Sequence, residues 1–162
     1  MSEEPQAGYR PCVGVMVLNK DGLVFVGCRV GYEDDPHAWQ LPQGGVDEDE
    51  ELETAALREL LEETGISSVE LLGQSRQWIS YDLPEGVAKG WKRKFKGQSQ
   101  KWFVYQFLGQ DSEINLNYTK HVEFSQWRWV PVEEIINMVV PFKRAVYESV
   151  VSEFSHLAKP RG

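Results

Sequence analysis

The segment GGVDEDEELETAALRELLEETGI, residues 44–66, constrains this chain more than any other stretch. Leu52 to Thr64 holds neither Gly nor Pro and is rich in Leu, Ala and Glu, which predicts one helix. Gly65 stands where it can end that helix, just after the last helical residue. Glu59, Glu62 and Glu63 are spaced i, i+3, i+4 and share one face. Leu57, Leu60 and Leu61 fall on the opposite side and are expected to be buried. Ala55 and Ala56 border the acidic stripe and leave it sterically open. Like charges on neighbouring turns cost about 0.2–0.5 kcal/mol per pair. A bound hard cation removes that cost, because Mg²⁺ and Mn²⁺ favour carboxylate oxygen and water. A solvated acidic face accounts for Glu48 to Glu53, but not for Arg58, the glycines and the apolar back together.

The remainder of the chain supports one domain. At 162 residues, 41% hydrophobic and 12% aromatic, it can bury a sizeable core, and disorder is excluded. The expected domain spans 1–162, with a core of about 8–157 and a flexible tail at 1–7. The start, MSEEPQAGYR, lacks the basic and apolar regions of a signal peptide. No apolar run is long enough to span a membrane. Cys12 and Cys28 are too few for a disulfide framework and lack metal spacing, so they read as ordinary strand thiols in a cytoplasmic protein. His37, His121 and His156 share no metal spacing and read as surface or packing residues.

The net charge of −8 repels a polyphosphate at long range. Metal ions and a local basic patch would have to reverse that field. Such a patch exists in the acid-free stretch 86–109: Lys89, Lys92, Arg93, Lys94, Lys96 and Lys101, interleaved with Trp91, Phe95 and Trp102. It reads either as a phosphate- or RNA-facing surface or as a solvated loop with anchoring aromatics.

Strands are expected at Cys12–Leu18 and Leu23–Cys28 around an Asn-Lys-Asp-Gly turn, at Val69–Leu72, Arg76–Leu83, Trp102–Leu108 and Gln126–Val130. A long loop is expected over Pro84–Ser99. Pro131 can open a short helix through Met138. A last helix runs from about Phe142 to Leu157, with Val146, Val150, Phe154 and Leu157 as its core stripe. A mixed sheet with a few helices packed on it follows, α+β or α/β/α.

Gly44-x5-Glu50-x7-Arg58-Glu59-Leu60-x-Glu62-Glu63-x-Gly65-Ile66 fills every fixed position of the Nudix box, and the chain resembles the Nudix hydrolases. Seven fixed polar or Gly positions match by chance roughly once in 10⁸ starts. Gly8-Tyr9-Arg10-Pro11, Trp39-Gln40-Leu41-Pro42-Gln43-Gly44-Gly45, Gly97–Phe103 and Phe142-Lys143-Arg144 are similar to the bacterial RNA pyrophosphohydrolases. The plant-type diadenosine tetraphosphate hydrolases share much of this pattern, and Gln110–Leu116 is especially similar to them.

The resemblance implies an α+β fold, an α/β/α sandwich with the box as loop–helix–loop, in which Gly44 and Gly45 permit a tight backbone path. It also implies hydrolysis of a phosphoanhydride in 5′-linked polyphosphates by water attacking phosphorus. The expected metal ligands are Glu59, Glu62, Glu63 and, from the likeness, Glu123 and the carbonyl of Gly45, with Mg²⁺ first and Mn²⁺ next. Glu59 is the first choice as general base and Glu123 the second. Arg58 is expected to orient a carboxylate such as Glu50.

The likeness further implies that Arg10, Arg29 and Lys143 meet phosphate, that Phe142 stacks on a base and that Tyr81 lies beside the same site. Lys101 joins this substrate set from the basic stretch. The substrate is expected to be an RNA 5′ end, with dinucleoside polyphosphates also accepted, and the chain a monomer. The alternatives are a dedicated diadenosine tetraphosphate hydrolase giving ATP and AMP, a nucleotide-binding regulator with little turnover, and a sugar-nucleotide pyrophosphatase, which the flanking motifs do not support.

Overall fold

A computed structural model describes residues 4–84 and 95–161. In chain order the strands are β1 (Arg10–Leu18), β2 (Val24–Arg29), β3 (Trp39–Gln40), β4 (Gln43–Gly45), β5 (Val69–Gln74), β6 (Ile79–Asp82), β7 (Gly97–Phe107) and β8 (Phe124–Val130). The helices are α1 (Leu52–Thr64), α2 (Ile135–Met138) and α3 (Arg144–Phe154), with 3₁₀ turns around the last two. The eight strands form one mixed sheet. At its centre β1 and β7 run parallel, in register from Arg10↔Gln98 to Leu18↔Gln106. The other pairings are antiparallel: β6 and β5 on the far side of β7, β4 and β2 beside β1, β3 and β8 beside β2.

Alternation along the central strands sends apolar groups to both faces. Val13, Val15 and Val17 of β1 join Phe25, Phe103 and Tyr105 on the face covered by Ala55, Ala56 and Leu60 of α1. Met16, Leu18, Val24, Val26, Trp102 and Val104 lie on the other face, under Ile135, Val146, Tyr147, Val150 and Phe154. Two cores on opposite faces of one sheet make the α/β/α sandwich. Gly14 of β1 leaves room for the Trp102 indole, whose ring atoms would lie 2.5 Å from a Cβ built there.

Two expectations about local structure need correction. The strand containing Trp102 begins at Gly97, because Gly97–Gln100 pairs with β6 on one side and Gln98–Gln100 with β1 on the other. The expected loop is therefore shorter at its end, and Lys89, Trp91, Lys92, Arg93 and Lys94 lie outside the described residues. In α1 only Leu60 of the three leucines expected in the core is fully buried. Ala55, Ala56, Leu60, Glu63 and Thr64 are buried, whereas Leu57 is 38% exposed and Leu61 only half-buried. The two alanines let the helix sit close on the sheet, so its acidic edge turns inward toward β4. Gly65 ends α1 as expected, at φ 75°, its N–H donating to the Leu61 carbonyl.

Candidate active site

β4 leads directly into the loop before α1 and is paired to the start of β1 through Cys12↔Gly45, Val13↔Gly44 and Gly14↔Gln43. This pairing fixes a backbone edge under the acidic side of α1. Arg58 organises the cluster. Its Nε and Nη2 donate to the two oxygens of Glu50 at 2.7 and 2.9 Å, a bidentate pair. Nη1 donates to Glu59 and to Glu62, both at 2.9 Å, and Nη2 also reaches the Gly45 carbonyl at 2.9 Å. One guanidinium thus spans four residues on the loop and the helix. The guanidinium and the Asp47 N–H hold the Glu50 carboxyl down at about 2.

Glu59, Glu62 and Glu63 line a cavity of about 330 Å³ with Thr119, His121 and Glu123. Glu123 sits just before β8, where its carbonyl accepts the Val30 N–H, and its carboxylate lies 3.1 Å from His121 Nε2. Burial and the neighbouring Glu59 carboxylate push the Glu63 carboxyl well up. Burial likewise raises Glu59, which shares a hydrogen bond with Glu63. The Gln43 N–H supplies only a long contact to Glu63, 3.4 Å.

Among the described residues no three acids converge as a preformed metal cage, and Arg58 engages oxygens of Glu59 and Glu62. The donor set nevertheless suits a hard divalent ion: all-carboxylate oxygen, one backbone carbonyl, and a buried acid pair whose mutual repulsion a cation would relieve.

The glycines here are needed for space, since neither Gly44 nor Gly45 has a positive φ. A Cβ on Gly44 would lie 2.0 Å from Glu59 Cδ, and one on Gly45 would lie 2.4 Å from Arg10 Nη2. The close approach is side chain on backbone, and not the tight backbone path expected from the sequence.

A cationic and aromatic group adjoins the acids. Burial lifts the Cys12 thiol to about 12, and Arg10, Lys143 and Glu59 all lie near enough for their charges to act on it. Tyr81 and Phe142 pack ring to ring, 5.9 Å apart and tilted by 39°. Lys143 is only 8% exposed, 5.9 Å from the Tyr81 ring centre, with Nζ 3.4 Å from Gln40 Oε1. Burial and the nearby Arg29 guanidinium bring its ammonium down to about 8. Arg29 itself lies over the Tyr32 ring at 4.3 Å.

The structure therefore brings Arg10, Arg29, Tyr81, Phe142 and Lys143 together next to Glu59, Glu62 and Glu63, with Glu123 across the cavity. Lys101 is not part of this group, as its Nζ donates to the Arg76 carbonyl at 3.2 Å. Sequence reasoning missed Thr119 and His121 as cavity-lining residues and Gln40 and Gln43 as polar partners. The position of His121 two residues before Glu123 was the available signal.

The NUDIX domain family matches residues 8–150. A protein from Wolbachia pipientis subsp. Culex pipiens named RNA pyrophosphohydrolase is 50% identical over 160 residues, covering 98% of this chain and 96% of that one. A protein of the same name from Rhodopseudomonas palustris is 52% identical over 157 residues, covering 93% and 94%. Among solved structures, a C. elegans Ap4A hydrolase superposes with TM-score 0.64 at 20% identity, covering 91% of this chain and 98% of that one. The E. coli dihydroneopterin triphosphate pyrophosphohydrolase does so with TM-score 0.64 at 19%, covering 90% and 98%. At these identities the structural likeness concerns the fold alone. With its box filled, its sandwich in place and a family match over most of its length, the chain belongs to the Nudix family.

Proposed function

We propose that the chain is a divalent-metal-dependent pyrophosphohydrolase that converts RNA 5′-triphosphate ends to 5′-monophosphate ends and also hydrolyses dinucleoside polyphosphates. The observation that carries this reading is the adjacency of two opposite surfaces, the acids of α1 and the Arg10, Arg29, Lys143, Tyr81, Phe142 group. One suits a cation, the other a nucleotide with its phosphates. Relatives about 50% identical over nearly the whole chain carry the name RNA pyrophosphohydrolase, which supports the RNA end as substrate.

Nudix hydrolases generally use divalent metals, and here the ion is proposed to be Mg²⁺, held by Glu59, Glu62, Glu63, Glu123 and the Gly45 carbonyl. When bound, it supplies charge neutralisation at the phosphate oxygens. Glu59 is the proposed general base, accepting a proton from the water that attacks phosphorus as the phosphoanhydride P–O bond breaks. Arg58 keeps that carboxylate aimed by the 2.9 Å bond to its Oε1. Phe142 offers a face for the first base, and Arg10, Arg29 and Lys143 meet the phosphates. Lys101 is retained only as a peripheral contact to the RNA backbone. The enzyme is proposed to work as a monomer in the cytoplasm. Among the described residues no helix is long and apolar enough to cross a membrane.

The test is a direct competition: purified protein, Mg²⁺ and equal concentrations of 5′-triphosphate RNA and diadenosine tetraphosphate, with Glu59→Gln as control. Faster formation of 5′-monophosphate RNA is expected. Rapid cleavage to ATP and AMP with RNA ends untouched would make the chain a dedicated dinucleotide hydrolase. No turnover of either would leave the nucleotide-binding regulator.

A further inference from the structure

Beneath the nucleotide side of the site runs a set of buried amides whose polarity is chemically fixed. Trp102 is fully buried, and its indole N–H donates to Oε1 of Gln100 at 3.1 Å. An indole N–H can only donate, so Gln100 must present oxygen there. Its nitrogen then faces away and donates to Oε1 of Gln43 and to Oε1 of Gln98, both at 3.0 Å. Gln100 is 1% exposed. Turning its carboxamide over would set N–H against N–H at Trp102 and oxygen against oxygen at both other partners, where solvent cannot relieve the mismatch.

Gln43 is thereby gripped by its oxygen, and its NH₂ is the end left to face the site. The residue is half-buried and stands at the seam of the two surfaces. Its backbone N–H contacts Glu63, and the next residue, Gly44, lies against Glu59. Its amide also reaches the Tyr81 hydroxyl, in the field of Arg10. One NH₂ hydrogen is thus taken by the Tyr81 hydroxyl; with Arg10 nearby, the acceptor that suits the second is an anionic oxygen of the substrate.

We infer that the Gln43 NH₂ donates to a non-bridging phosphate oxygen of the substrate, and that Gln100 and Trp102 are positioning residues that hold it in the donating sense. The inference rests on the nucleoside-polyphosphate reading above.

The test uses the full chain, Mg²⁺ and whichever of 5′-triphosphate RNA and diadenosine tetraphosphate the wild type hydrolyses faster, so a failed RNA reading leaves it intact. Gln43→Met is expected to raise KM about tenfold, as loss of a hydrogen bond to a charged group does, with kcat within about twofold. Gln100→Met should do the same, and the double variant should be no worse than Gln43→Met alone, because Gln100 acts only through Gln43. Additive losses, or a fall in kcat at unchanged KM, overturn the inference. A second measurement on the wild type does not depend on how the variants fold. The Gln43 side-chain amide signals in a ¹⁵N–¹H spectrum should move on saturation with a non-hydrolysable nucleoside triphosphate and Mg²⁺, and signals that stay in place refute the contact.

Discussion

The carboxylate of Glu59 rests directly on Gly44: a Cβ at that glycine would lie 2.0 Å from Glu59 Cδ and 2.3 Å from each of its oxygens. No hydrogen bond sets this contact. The absence of one side chain does, and it decides where the proposed base can sit. Gly44→Ala is therefore expected to displace Glu59 and lower kcat about 10²-fold, while overpacking destabilises the chain by about 1–3 kcal/mol. Circular dichroism should still report a folded protein. Activity within threefold of wild type would mean that the packing of Glu59 on Gly44 is irrelevant to turnover.

Glu59→Gln keeps the shape of that contact and removes its proton acceptor. A drop in kcat of about 10²–10⁴ is expected, with the fold intact by circular dichroism. If turnover stays near wild type, Glu123, the other acid considered for the role, becomes the base to test by the same substitution.

Glu63 gives a stability prediction tied to metal. Its folded-state pKa lies above the ordinary 4.5 because of burial and the Glu59 charge. The folded chain then holds a proton that the unfolded chain has released, so stability declines as pH rises from about 4.5 through the folded pKa. At neutral pH the buried Glu63 beside the Glu59 charge therefore weakens the metal-free protein. Glu63→Gln should accordingly raise Tm in chelator at pH 7.5, and Mg²⁺ should raise Tm of wild type more than that of the variant. A variant that melts lower in chelator and gains as much from Mg²⁺ contradicts the account.

How much of this was legible in the sequence depends on whether the information is local. The 3.6-residue spacing of Glu59, Glu62 and Glu63 and the stop at Gly65 are local, and so is the alternation of Val13, Val15 and Val17. The burial sense of α1 is not: all three leucines look like the core side, yet only Leu60 enters the core, beside the small Ala55 and Ala56, and Leu57 is left at 38% exposure. The extension of β7 back to Gly97 depends on β1 and β6 as neighbours. The cavity also joins His121 and Thr119 to α1 through a loop whose course no periodicity encodes. The Trp102–Gln100–Gln43 contacts are alternate residues on one strand meeting another, a pattern visible only once the register is known.

Arg58 and Glu50 form a bidentate pair, the same guanidinium also holds Glu59, Glu62 and the Gly45 carbonyl, and Lys cannot reproduce the fork. Arg58→Lys should lower kcat by at least tenfold by freeing Glu59 and Glu62. The pair also sets an acid limit. With the Glu50 carboxyl at about 2 in the folded chain, its contribution is complete above the ordinary 4.5 and is lost as pH falls from there toward 2. Urea melts between pH 5 and pH 2 should therefore show a shallower loss of stability for Glu50→Gln than for wild type. Parallel slopes would remove Glu50 from the acid response.

Lys143 carries the sign opposite to that of Glu63. Its ammonium is brought down to about 8 from an ordinary 10.5 by burial and by Arg29, so between those values the unfolded chain binds more protons and stability rises with pH. Below about pH 8 the buried charge is a full penalty, on the order of 1–3 kcal/mol after allowing for its contact with Gln40. Lys143→Met should then melt higher than wild type at pH 7, with the advantage shrinking above pH 8 and gone near pH 10.5. The same change should weaken substrate, raising KM tenfold or more through the lost phosphate contact. A residue kept at the expense of stability for the sake of binding must show both effects together. A variant that melts lower at pH 7, or binds substrate as wild type does, would assign Lys143 to the core instead.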